Sequence, residues 1–201
     1  MIRAPGRLLP PAFYRRADVV RIARDLLGCY LFTRLGAGRV TGGLIVETEA
    51  YGGSADRASH AYGNRRTRRT AVMYAAGGVA YVYLCYGLHA LFNVITNEEG
   101  IPDAVLIRAL LPTCGIKLMR RRRKPARDDR LASGPGLLAR ALGIAVCHSG
   151  CSLAGPAIWL QAGPPVPDAA IRMGPRVGVA YAGPDASRPW RFRVDAALFR
   201  E

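Results

Sequence analysis

Lysine is almost missing from this chain: its 201 residues include only Lys117 and Lys124, against 27 arginines. Two amines, both in or beside one cationic stretch, leave little for chemistry that runs through a Schiff base. Histidine is scarce as well, at three residues, and the fourteen carboxylates are scattered, so the clustered ligands of a metal-dependent nuclease are lacking. The five cysteines, Cys29, Cys85, Cys114, Cys147 and Cys151, are an odd number in a chain large enough not to need disulfides. Cys147-His148-x-x-Cys151 has metal-like spacing, but without a second ligand pair it reads as structural or incidental, and no cofactor is expected. No apolar run reaches the roughly 18 residues of a membrane span, and the start, MIRAPGRLLPPAFYRR, has too short and proline-broken a core for a signal peptide. An intracellular protein without a membrane partner is expected.

What remains is half hydrophobic, enough for a full core in one domain over residues 1–201, with 1–16 as an N-terminal arm that can be flexible. The net charge of +15 favours a polyanionic partner, nucleic acid first. Codon usage favouring Arg, Ala and Gly is a second source for the arginines, and charge alone does not separate the two.

Along the chain, ADVVRIARDLL (17–27) has apolar residues at helical spacing, Asp18 as a cap and Gly28 as a stop. CYLFTRL and RVTGGLIVETEAY read as two strands around Gly36-Ala37-Gly38, and AYVYLCYGLHALFNVIT (80–96) as a hairpin with Tyr86-Gly87 at its tip. A continuous hydrophobic helix competes for 80–96, but its β-branched and aromatic density favours strands. AVLIRALLP is a strand ending at Pro112, GIKLMRRRRK a helix with a cationic last turn, and Pro125–Arg130 a mobile loop. Ser133 is placed to cap LLARALGI, with Pro135 in the first turn and Gly143 at the end, and such an N-terminus suits a phosphate. AIWLQAG, PRVGVAY and WRFRV read as short strands. The stretch Gly52–Gly78, rich in Gly, Arg and Ser, reads as long surface loops, where chemistry is more at home than in helices.

One strand carries an anomaly. In LIVETEAYGG (44–53), alternation puts Leu44, Val46, Thr48 and Ala50 on one face and Ile45, Glu47, Glu49 and Tyr51 on the other. Parity alone leaves two readings open, a salt-bridged strand end and a working site.

The ordered series ARDLLG, GLIVETEAYGG, ASHAYG, RTRRTAVMY, YVYLCYG, an asparagine, IRALLP, SGPG, ALGI, PRVGVAYAG and PWRF resembles the alkyladenine (3-methyladenine) DNA glycosylase family across roughly residues 10 to 195. The resemblance implies an α+β fold: one mixed domain with a curved antiparallel sheet, surrounding helices and a protruding β-hairpin that enters DNA. It implies a monofunctional glycosylase that hydrolyses the N-glycosidic bond of alkylated or deaminated purines flipped from double-stranded DNA, such as 3-methyladenine, 7-methylguanine, hypoxanthine and ethenoadenine. A monomer working on genomic DNA in base excision repair follows from the same resemblance.

Residue by residue, the resemblance makes Glu49 the general base, with Arg108 and the Val177 carbonyl holding the water. It makes Tyr51 and Tyr83 the stacking walls, His60 the histidine at the flipped nucleotide, Asn93 the residue that collides with guanine's amine, and Tyr86 the intercalating wedge. Arg65, Thr67, Arg69, Ser133, Gly134 and Gly136 fall in the motifs that hold DNA. Leu137 stands where the family commonly has lysine, Gly77 and Arg68 each where proline is common, and Pro184-Asp185 where it has Glu-Trp, which puts DNA affinity and loop rigidity in question. Glu47 receives no role. A DNA-binding module without catalysis and a glycosylase-lyase are the competing functions; the set Glu49, Tyr51 and His60 argues against the first, and the sparse lysines against the second.

Overall fold

The protein is described by a computed structural model over residues 6–36, 38–123 and 130–199. Asp18 caps α2 (Val19–Asp25) by accepting the Arg21 N–H at 2.9 Å, and Gly28, with φ of +79°, turns the chain away. Before it, a single turn, α1 (Pro11–Tyr14), begins on proline. Of the expected arm, residues 6–16 include buried Leu9 and Tyr14, and the Leu9 N–H donates to the Leu160 carbonyl.

The strands are β1 (Tyr30–Arg34), β2 (Val40–Tyr51), β3 (Ala80–Cys85), β4 (His89–Thr96), β5 (Asp103–Cys114), β6 (Ile158–Gln161), β7 (Arg172–Gly174) and β8 (Arg191–Arg193). They form one antiparallel sheet in the order β3-β4-β5-β2-β1-β6, with β8 pairing both β2 and β7. β2 is its centre: β5 covers one edge, while β1 takes the first half of the other edge and β8 the second. The hairpin expected over residues 80–96 is present, so the helix alternative is discarded.

Period-two alternation sorts the sheet into two faces. Ala80, Val82, Phe92, Val94, Val105, Ile107 and Ala50 join the main core with Ile22, Ala23 and Leu26 of α2 and Leu138, Ala139 and Leu142 of α4 (Pro135–Leu142). Tyr81, Ile95 and Ala104 face the other way, onto Ala61, Met73 and Tyr74 from the loops after β2.

Several expectations need correction. The register of β2 against β5 shifts on both sides of Glu47, a bulge that breaks the alternation. Ile45 is therefore in the main core with Ala50 and does not share a face with Glu47 and Glu49. β5 does not stop at Pro112 but runs to Cys114, because Pro112 sits at another register shift, where a ladder N–H is not required. The first residue outside α4 is Gly134, at φ +102°, and no side chain caps the helix; Ser133 instead forms an isolated bridge with Ala109. PRVGVAY is not a strand: β7 ends just before it, and its last two residues open a 3₁₀ segment, Ala180–Ser187. The cationic helix is α3 (Ile116–Arg122), while Ala37, Lys124 and all but Arg130 of the proposed mobile loop lie outside the described residues.

Candidate active site

The sheet face turned away from the helices forms the floor of a cavity of about 510 Å³. Tyr51 of β2, Tyr81 and Tyr83 of β3, Leu91 and Asn93 of β4, and Leu106 and Arg108 of β5 line it at alternate positions. Ser59 and His60 close one side, Val177, Gly178 and Tyr181 another, and Pro135 at the start of α4 reaches the rim.

Glu49 lies just behind this lining, with no surface open to solvent. Oε1 accepts the Val177 N–H at 2.8 Å and faces the Arg108 guanidinium at 3.3 Å; Oε2 accepts the Tyr51 hydroxyl at 2.8 Å. Each of its three partners lines the cavity. Burial pushes the Glu49 carboxyl above its ordinary pKa, against the pull of Arg108, the Val177 amide and Tyr51, with Glu47 adding to the rise. Arg108 is held firmly cationic by Glu49 and Glu47, which outweigh its own burial.

Glu47, left without a role by the sequence, pairs with Arg108 at 2.9 Å and with Arg191 of β8 at 3.0 Å. It anchors the guanidinium from behind while Glu49 takes it from the front. Alternation already sets Glu47 beside Glu49 on one face, and the bulge takes Ile45 off that face into the main core.

His60 reaches the cavity but not the Glu49 carboxylate. His60 Nδ1 lies 2.9 Å from the Tyr81 hydroxyl, and its ring packs edge-on to Tyr83 at 4.5 Å between centroids. Burial, with Arg69 and Arg65 nearby, pushes its pKa down to about 4, so the ring is neutral near pH 7. The Asn93 Nδ2 donates to the Tyr81 carbonyl at 3.1 Å, which fixes the amide on the floor.

Tyr86 stands 91% exposed at the hairpin tip, flanked by exposed Leu84 and Leu88. The Leu88 N–H donates to the Cys85 carbonyl, and Tyr86 and Gly87 both have positive φ, at +50° and +70°, as in a type I′ turn. Glycine or asparagine is at ease there; a tyrosine is strained. In the loop before β3, Arg65 and Arg69 are exposed, and Thr67 is tied to Thr70, its N–H donating to Oγ1 at 2.8 Å. Gly136 backs onto the hairpin, where a Cβ would come within 2.9 Å of His89.

Sequence reading gave no site role to Arg176, Asp56, Tyr81 or Asp185. The Arg176 side chain is fully buried and forks onto the Asp56 carboxylate; it also donates to the Ala50 carbonyl at 2.9 Å and the Asp185 carbonyl at 3.0 Å. Asp185 accepts the Arg57 N–H at 2.8 Å and pairs with Arg188, so this departure from the family pattern is a structural anchor. Gly77 is likewise fitted to its place: a Cβ there would meet the Tyr14 carbonyl at 2.7 Å. Among the described residues no three His, Cys, Asp or Glu side chains gather in a metal-binding group, and no helix among them is long and apolar enough to cross a membrane.

Comparison with known proteins gives a consistent result. Residues 12–197 match the family described as methylpurine-DNA glycosylase. A protein of Chlamydia felis named "Putative 3-methyladenine DNA glycosylase" is 42% identical over 190 residues, which span 94% of this chain and 96% of that protein. Proteins of the same name from Bacillus licheniformis and Myxococcus xanthus are 44% and 45% identical, each over 92% of this chain and over 92% and 89% of their own lengths.

Proposed function

The chain belongs to the methylpurine-DNA glycosylase family, which makes it a DNA glycosylase, a hydrolase of N-glycosyl bonds in base excision repair, and we propose that Glu49 is its general base. The carrying observation is the buried carboxylate held by Arg108, the Val177 amide and Tyr51 against the wall of an aromatic cavity. Hydrolysis develops positive charge on the sugar as the base departs, and a carboxylate there both takes a proton from water and offsets that charge. Each carboxylate oxygen has two lone pairs, so Glu49 has acceptor capacity left beside its present partners. Arg108 orients that water, with the Val177 carbonyl as its expected second partner.

The damaged purine reaches the cavity by leaving the duplex, at a cost of roughly a few kcal/mol. Tyr86 takes its place in the stack, which gives a reason for its strained exposure. Tyr51 and Tyr83 sandwich the base, and electron-rich rings favour the cationic 3-methyladenine and 7-methylguanine. Asn93 opposes guanine's exocyclic amine from the cavity floor, while neutral His60 meets the nucleotide as a hydrogen-bonding group without charge. Hypoxanthine and ethenoadenine are neutral and need protonation to leave. Arg65, Thr67, Arg69, Ser133, Gly134 and Gly136 form the rim that meets the duplex backbone, and the protein acts as a monomer.

The decisive experiment counts abasic sites and free purines released from methylated duplex DNA by the wild type and by Glu49→Gln. Excision is expected to fall by roughly a hundredfold to ten-thousandfold. Equal release by both proteins sinks the assignment.

A further inference from the structure

Arg176 carries a charge that the proposed chemistry leaves unused, on a side chain with no surface open to solvent. Its guanidinium is sandwiched between two rings, with Tyr51 at 4.9 Å and Trp190 at 5.2 Å from its central carbon. In its own plane it meets the Asp56 carboxylate and the carbonyls of Ala50 and Asp185. One side chain thereby ties together the end of β2, the loop after it and the 3₁₀ segment that precedes β8. Asp56 extends the clamp by accepting the N–H groups of Gly52 at 3.1 Å and Ala58 at 3.0 Å. The next residue in the chain is Val177, whose N–H reaches Glu49.

We infer that Arg176 is the positioning residue of this site: it sets the Val177 amide on Glu49 and holds Tyr51 as the cavity wall. The reasoning is geometric. Residues 175–179 belong to no helix or strand, so no ladder fixes the direction of the Val177 N–H. What fixes it is the side chain one residue earlier, which grips the same strand that presents Glu49, through the Ala50 carbonyl. The forked geometry matters, because an arginine satisfies a carboxylate and two carbonyls at once while a lysine, a point donor on a flexible stem, does not. Trp190 closes the far side of the sandwich and is itself capped by Arg188, whose central carbon lies 4.6 Å from the ring centroid. The PWRF segment thus acts on Glu49 twice, through this sandwich and through the ladder in which Arg191 lies opposite Glu49.

This inference rests on Glu49 being the base, and its test separates the two. The groups around Glu49 are Arg108, Arg176, Glu47, Tyr51, Tyr83 and the Val177 amide; a lysine keeps the charge of Arg176, so what the substitution removes is the hold on the amide, one of the few influences that favour the charged form of Glu49. In Arg176→Lys, the acid limb of the excision profile is expected to move to higher pH and kcat to fall about tenfold, with KM for lesion DNA changed far less. The Val177 amide resonance, followed through the Glu49 titration, is expected to lose most of its pH-dependent shift. Trp190→Leu leaves the ion pair intact and carries the same test if the lysine variant does not fold. An unmoved acid limb with a wild-type amide titration, in either folded variant, overturns the inference. If Glu49→Gln excises like the wild type, the base assignment fails instead, while the amide titration still reports on the clamp.

Discussion

Glu47 and Arg108 face each other at 2.9 Å across β2 and β5, with only 17% and 12% of their side chains exposed. A guanidinium shared between two carboxylates is held in one orientation, and that orientation lets it serve the front carboxylate, Glu49, at 3.3 Å. Glu47→Gln is expected to lower excision about tenfold and stability by about 1–3 kcal/mol, since a mostly enclosed charge pair loses a partner. Urea unfolding and single-turnover excision on the same preparation check both. Wild-type rates would leave Glu47 as a strand-end ion pair only.

The pH profile follows from two shifts of opposite sign. As the proposed base Glu49 works ionised, and burial raises its pKa, so activity is expected to rise across an acid limb above the ordinary carboxylate value of 4.5 and then level off. His60, pushed down to about 4 from 6.5, is neutral near neutral pH and contributes no limb near 6.5. For folding, a raised carboxyl pKa gives stability that is present below the unfolded value and lost as pH rises through the folded one. Glu49→Gln is therefore expected to melt no lower than the wild type at pH 7 while losing its activity. The lowered His60 pKa works the other way: its contribution is present above 6.5 and is lost as pH falls toward about 4.

At the hairpin tip, function and stability pull apart. Tyr86→Gly removes a side chain from a position with φ of +50° and is expected to stabilise the protein by about 1 kcal/mol. The same change is expected to weaken lesion binding and slow excision several-fold, since the stack is left unfilled. Thermal unfolding and lesion-duplex titration check the pair of outcomes. A variant that is both more stable and fully active would take the wedge away from Tyr86.

Charge accounts for a fourth expectation. Affinity for duplex DNA should fall steeply with salt, and replacing Arg65 and Arg69 together with glutamine should reduce the log–log slope by about two. Titrations at several salt concentrations measure the slope. An unchanged slope would place the phosphate contacts elsewhere.

Much of this site was legible in the sequence because alternation is local. The pairing of Glu49 with Tyr51 followed from counting by twos, and the hairpin from the β-branched and aromatic density on either side of Tyr86-Gly87. The bulge at Glu47 was not legible, because two neighbouring strands, β5 and β8, set the register there. Arg176 stayed hidden for a related reason: its partner, Asp56, is 120 residues away, and PRVGVAY has the composition of a strand. The failed cap at Ser133 is a case of backbone overriding side chain, with Gly134 at φ +102° taking the chain into α4 without one.

β2 is completed late. Its second half, bearing Glu47 and Glu49, is bordered by β8, and the amide on Glu49 comes from Val177. A ribosome delivers residue 49 long before residues 176 to 193, at about 5–20 residues per second. For that interval the emerging polypeptide carries its carboxylates and its pocket tyrosines without the clamp that assembles them. On the proposed assignment of Glu49, hydrolytic power is acquired only when the segment from 176 to 193 docks, and a chain interrupted before Val177 is expected to excise nothing.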